Sequence, residues 1–68
     1  MEIVPVSSSN VAAVGYEEGV LQVHFSNGSV YNYFGVPEYI FAEVLIANSV
    51  GTYLRENVFE KFDHEKIC

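Results

Sequence analysis

Along the segment Val20 to Phe25, Leu21, Val23 and Phe25 alternate with Gln22, His24 and, just past its end, Ser26. A period of two marks a strand with one buried face. Asn27-Gly28 follows, a strong hairpin signal, and Ser29 to Val36 returns antiparallel. A two-residue Asn27-Gly28 turn pairs Phe25 with Val30, His24 with Tyr31, Val23 with Asn32, Gln22 with Tyr33 and Leu21 with Phe34. Alternation then predicts a core face of Leu21, Val23, Phe25, Val30 and Phe34, with Asn32 as the odd member. The outward face carries Gln22, His24, Tyr31 and Tyr33.

Upstream, Val11 to Tyr16 reads as the first core strand, and Glu17-Glu18-Gly19 as a turn whose glycine supplies a positive φ. A two-residue turn places Val14 and Tyr16 on the core face; a three-residue turn with a bulge places them on the other. The first is preferred, because the second leaves Gly15 and Ala13 as the core contribution. Met1 to Asn10 starts extended, and Pro5 suits an edge strand or a lead-in. Ser7-Ser8-Ser9-Asn10 reads as a polar loop that satisfies local backbone groups or, in a sharper reading, cradles an anion.

Downstream the period changes. Pro37 and Glu38 suit the first turn of a helix. Ile40, Phe41, Val44 and Leu45 form one apolar stripe, and Asn48 ends the helix. Ser49 caps a second, shorter helix over Val50 to Asn57 that buries Tyr53 and Leu54. Val58, Phe59 and Phe62 close the core, and Asp63 to Cys68 is a charged tail without pattern. The expected fold class is α+β, in a single domain over residues 1–68. A three-stranded antiparallel meander, with a short edge strand as an option before it, leads into one longer and one short helix packed on one face.

Composition sharpens this picture. Half of the 68 residues are hydrophobic and 15% are aromatic, which is too apolar for a disordered chain. A chain this short buries only about 60% of its unfolded surface, so small domains lean on disulfides, metals or oligomerisation. The single cysteine, Cys68, has no partner for an intramolecular disulfide and no positioned base to activate it. His24 and His64 lack further ligands at metal-binding spacing, so neither a metal nor a cofactor is expected. A homo-oligomer is the remaining remedy. The net charge of −6, with Arg55, Lys61 and Lys66 the only cations, argues against long polyphosphate chains and anionic membranes. No apolar run reaches the roughly 20 residues of a membrane span, and the chain is read as cytoplasmic.

The segments Leu21-x-Val23-x-Phe25 and Val30-Tyr31-Asn32-Tyr33-Phe34-Gly35-Val36-Pro37 resemble the centre of the KTSC domain. That family is named for the C-terminal domain of some lysyl-tRNA synthetases, and it also occurs as a free-standing small bacterial or phage protein. Pro5-Val6-x-Ser8-Ser9 with Val14-Gly15-Tyr16 resembles the family's start. Ser49-x-Gly51-x-Tyr53-Leu54 with Asn57-Val58 resembles its end. The likeness covers about residues 4–62, and the family's Tyr-x-Tyr motif falls on Tyr31 and Tyr33. It implies an RNA-binding role, which has been proposed for the family. The tail departs from the basic stretch that often ends members, running through Glu60, Asp63 and Glu65.

Three functional readings follow. Catalysis rests on His24 beside Tyr31 as an acid–base pair, joined by no nucleophile, metal set or paired carboxylates, so no enzyme is expected. Binding rests on Tyr31, Tyr33 and His24, with Gln22 on the same face, as a stacking platform for a flat ligand. Arg55, the Ser49 helix start, and Ser8 and Ser9 would supply anion contacts. The expected ligand is a short RNA or a small nucleotide signal, sequestered on that face or at a subunit boundary. The third reading makes the same Tyr-x-Tyr face a subunit or protein–protein interface.

Overall fold

The computed structural model describes residues 1–68 and is an α+β fold. Five antiparallel strands, β1 (Ile3–Pro5), β2 (Val11–Glu17), β3 (Val20–Phe25), β4 (Val30–Phe34) and β5 (His64–Lys66), lie side by side in chain order. Helices α1 (Glu38–Ile46) and α2 (Val50–Asn57) fall between β4 and β5. The edge strand β1 is the optional strand of the sequence reading. The last strand corrects the patternless tail: His64, Glu65 and Lys66 pair with Tyr33, Asn32 and Tyr31.

The β2–β3 turn has the two-residue form. Glu17 pairs with Val20, and Glu18 and Gly19 take φ of 49° and 84°, both positive as a type I′ turn demands. Val14 and Tyr16 therefore face the core, opposite Val23 and Leu21. The β3–β4 turn differs from the expected one. Of its residues only Gly28 has a positive φ, at 96°, so Ser26, Asn27 and Gly28 form a three-residue loop. The amide of Phe25 donates to the Ser29 carbonyl at 2.8 Å, and Asn27 Oδ1 accepts from the Ser29 amide at 3.0 Å. A left-handed glycine after two ordinary turn residues is the usual three-residue alternative to the primed turn.

That one extra residue inverts the β4 faces. Leu21 pairs with Tyr33 and Val23 with Tyr31, while Gln22 pairs with Asn32 and His24 with Val30. Tyr31 and Tyr33 thus point to the core side, and Val30, Asn32 and Phe34 point outward. The inversion places Asn32 where its amide is bonded and gives the core the larger rings. Tyr33 is only 4% exposed.

The core joins Val11, Val14, Leu21, Val23 and Tyr33 of the sheet to Ile40, Val44, Val50 and Leu54 of the helices and to Val58 just past α2. Ile40 and Val44 are one turn apart and fix the buried face of α1, while Leu45 turns outward. Ser49 caps α2, its hydroxyl accepting from the Thr52 amide at 3.3 Å. Leu54 is buried as expected; Tyr53 is half-buried. Gly15 carries the N-terminal strand: a Cβ there would meet Ile3 Cδ1 at 2.5 Å and the Glu2 carbonyl at 2.9 Å. No helix is long and apolar enough to cross a membrane.

Candidate functional site

The start of β2, the β3–β4 turn and the first turns of α2 meet at one end of the sheet. Between them lies a cleft of about 720 Å³. Ser7, Ser8, Ser9, Ser26 and Ser49 line it, with Asn10, Asn27, Asn48, Thr52 and Arg55. Its apolar wall comes from Val11, Phe25, Val50 and Phe59. The chain holds nine carboxylate side chains, and none lines this cleft.

Each polar group has a definable capacity. Ser8 Oγ accepts from the amides of Asn10 and Val11, both at 3.4 Å, which leaves its proton free to donate. Ser49 Oγ is committed to the cap and donates to Thr52 Oγ1 at 3.0 Å, so the Thr52 hydroxyl proton is the free one. A Cβ at Gly51 would lie 3.6 Å from Ser8 Oγ, so the serine loop rests against the first turn of α2. The amides of Val50 and Gly51 precede the first intrahelical donor and have no partner within the helix. Arg55 is exposed, and the one ion pair in the structure joins the N-terminus to Glu17 at 3.2 Å, so its guanidinium carries no counter-charge.

A second, shallower groove of about 390 Å³ adjoins the first. Tyr31, Tyr33, His64, Ser29, Asn27, Phe25 and Phe59 line it, and the last three line both. Here aromatic rings form a continuous surface. Phe59 stacks on Tyr33 with centroids 5.5 Å apart, Tyr31 stacks on Tyr33 at 6.3 Å, and His64 lies 5.8 Å and 5.4 Å from the two tyrosines. Burial, and then the neighbouring Tyr31, push the Tyr33 phenol above its ordinary pKa, so it stays neutral and donating.

The residues expected to bind are therefore divided. Ser8, Ser9, Ser49 and Arg55 come together in the serine-lined cleft, and Tyr31 and Tyr33 lie in the adjoining groove. Gln22 and His24 lie on the opposite sheet face. There His24 Nε2 is 2.7 Å from Gln22 Oε1, and Gln22 Nε2 donates to Asn32 Oδ1 at 2.9 Å. His24 sits opposite Val30 and not beside Tyr31, so the supposed acid–base pair does not exist. The sheet-face platform of Gln22, His24, Tyr31 and Tyr33 fails for the same reason, the three-residue turn. Phe59, Thr52, Asn27 and His64 join the site without any sequence signal, since only tertiary packing brings them there.

The KTSC domain family model matches residues 7–62. A protein of Tsukamurella paurometabola is 37% identical over 60 residues, covering 85% of this chain and 90% of the relative. A protein of Stutzerimonas stutzeri is 34% identical over 58 residues, covering 82% of each. The crystal structure of a KTSC domain protein from Yersinia pestis superposes with a TM-score of 0.90 at 33% identity, covering 98% of this chain and 97% of that one.

Proposed function

The chain belongs to the KTSC domain family, and on that premise we propose that it is a non-catalytic module that binds a small nucleotide-type ligand, a short RNA or a nucleotide signal, and holds it sequestered. The carrying observation is the continuity of the two clefts. A polar end with Ser8, Ser9, Thr52 and the unpaired Arg55 runs through Phe25 and Phe59 into an aromatic end with Tyr31 and Tyr33. Phosphate oxygens seek hydroxyl, amide and guanidinium donors, and a base seeks a π surface, where stacking contributes about 1–3 kcal/mol. The serine-lined wall holds no histidine, cysteine or carboxylate, and the adjoining aromatic end carries His64. A cytoplasmic setting, where such ligands are found, accompanies this reading.

Amide chemical-shift mapping with a panel of mononucleotides and short oligoribonucleotides tests it. Shifts should concentrate at Ser8, Ser9, Gly51, Thr52 and Phe59. Arg55→Ala should weaken binding about tenfold, the worth of one charged hydrogen bond. Shifts confined to Gln22 and His24, or none with any member of the panel, would overturn the proposal.

A second reading, contact with another copy of the chain, is favoured by α1. This helix is apolar on both sides: Ile40 and Val44 face the core, while Tyr39 and Ile46 are 62% and 82% exposed. The exposed apolar line is bordered by Glu38 and Glu43, and a contiguous exposed apolar patch is a common contact surface. Tyr39, Ala42 and Ile46 follow one line, and the small Ala42 at its middle lets two antiparallel copies approach across a twofold axis.

A further inference from the structure

Resting on the nucleotide reading above, a narrower conclusion concerns charge. We infer that the cleft selects a nucleotide bearing a single phosphate group, a nucleoside monophosphate or one phosphodiester, over di- and triphosphates. The phosphate lies at Arg55, Ser8 and Thr52, and the base lies toward Phe59 and Tyr31.

Three observations carry it. Arg55 is the sole lysine or arginine in either cleft, and the one histidine, His64, lies at the aromatic end. The remaining donors at the polar end are neutral hydroxyls and amides, which bind phosphate oxygens without neutralising added charge. The chain around them carries a net charge of −6, so each further phosphate enters a repulsive field without a matching cation. Sites for polyphosphates instead gather several cations or a metal around the extra oxygens. Here the other two cations, Lys61 and Lys66, line neither cleft. Carboxylate-free walls admit one anion, and the acidic exterior excludes a more heavily charged one.

Isothermal titration calorimetry of the intact chain decides the matter, using adenosine and its 5′-mono-, di- and triphosphates at low and at high salt. The monophosphate should bind about tenfold tighter than the triphosphate at low salt, and the gap should narrow at high salt as the repulsion is screened. Arg55→Ala should bring the monophosphate down to the affinity of adenosine. Arg55→Lys should retain part of the difference, since the charge remains and the fork is lost. Phe59→Ala should weaken all four compounds alike. A triphosphate that binds tighter than the monophosphate overturns the charge selection and leaves the nucleotide reading standing. Adenosine binding as tightly as its monophosphate overturns the placement of the phosphate. Failure of all four, under conditions where the chain is folded, overturns this inference together with the reading it rests on.

Discussion

Tyr53 donates its phenolic hydrogen to Glu43, tying α2 to α1. Burial, then this hydrogen bond and the charges of Glu43 and Tyr39, push its pKa up to about 12. The folded value lies above the unfolded one of about 10, so the neutral phenol is the form the fold favours. Its stabilising contribution is whole below pH of about 10 and is lost as pH rises through about 12. Ultraviolet titration of tyrosinate should therefore show Tyr33 and Tyr53 ionising later than the other phenols, and Tyr53→Phe should remove the step near a pH of about 12. Tyr53→Phe should also flatten the alkaline decline in stability between those limits; an unchanged decline would dissociate Tyr53 from it. At this same scale the sequence was partly legible. Residue type marks Ser8, Ser9, Ser49 and Arg55 as donors, and only the fold brings them to one cleft. Alternation from a two-residue turn puts Tyr31 and Tyr33 on the wrong face, although Asn32 carries the signal. An amide assigned to an apolar face breaks the alternation that the assignment relies on.

Among the elements, the two turns of the meander differ by one residue and decide which side chains are buried. Glu18 holds a left-handed φ of 49° that a glutamate adopts only with strain, on the order of 1 kcal/mol. Glu18→Asn supplies a residue that tolerates this region and completes the preferred Asn-Gly pair with Gly19. It should raise stability by about 0.5–1 kcal/mol, which for a domain of this size is a rise in Tm of a few degrees. Thermal unfolding followed by circular dichroism checks this, and a lower Tm would show that the turn is not type I′. Strands β2 to β4 and both helices were legible because alternation, caps and apolar stripes are local properties. The last strand was not. His64, Glu65 and Lys66 are all exposed and carry no pattern, and backbone pairing with β4 alone makes them a strand.

At the scale of the whole molecule, the sheet edges are guarded and the outer side of α1 is not. Pro5 interrupts the β1 edge, and charged or polar residues form β5, both of which discourage edge-to-edge pairing. Self-association through α1, as proposed, would have to overcome repulsion between chains of charge −6. Sedimentation should show a dimer at micromolar concentration that strengthens with salt, because added ions screen the like charges. Ile46→Lys, at a position 82% exposed, should give a folded single chain. A single chain at every salt concentration would rule out this interface. The order of the strands has a kinetic corollary. Strands β1 to β4 are joined by short links, and such hairpins close within microseconds. Only β5 must return across both helices, closing the longest loop and losing the most chain entropy before any contact rewards it. His64 rides on that strand, so the aromatic groove is the last part of the protein to exist. A refolding chain is expected to regain its helices and its hairpins before His64 packs against Tyr31 and Tyr33.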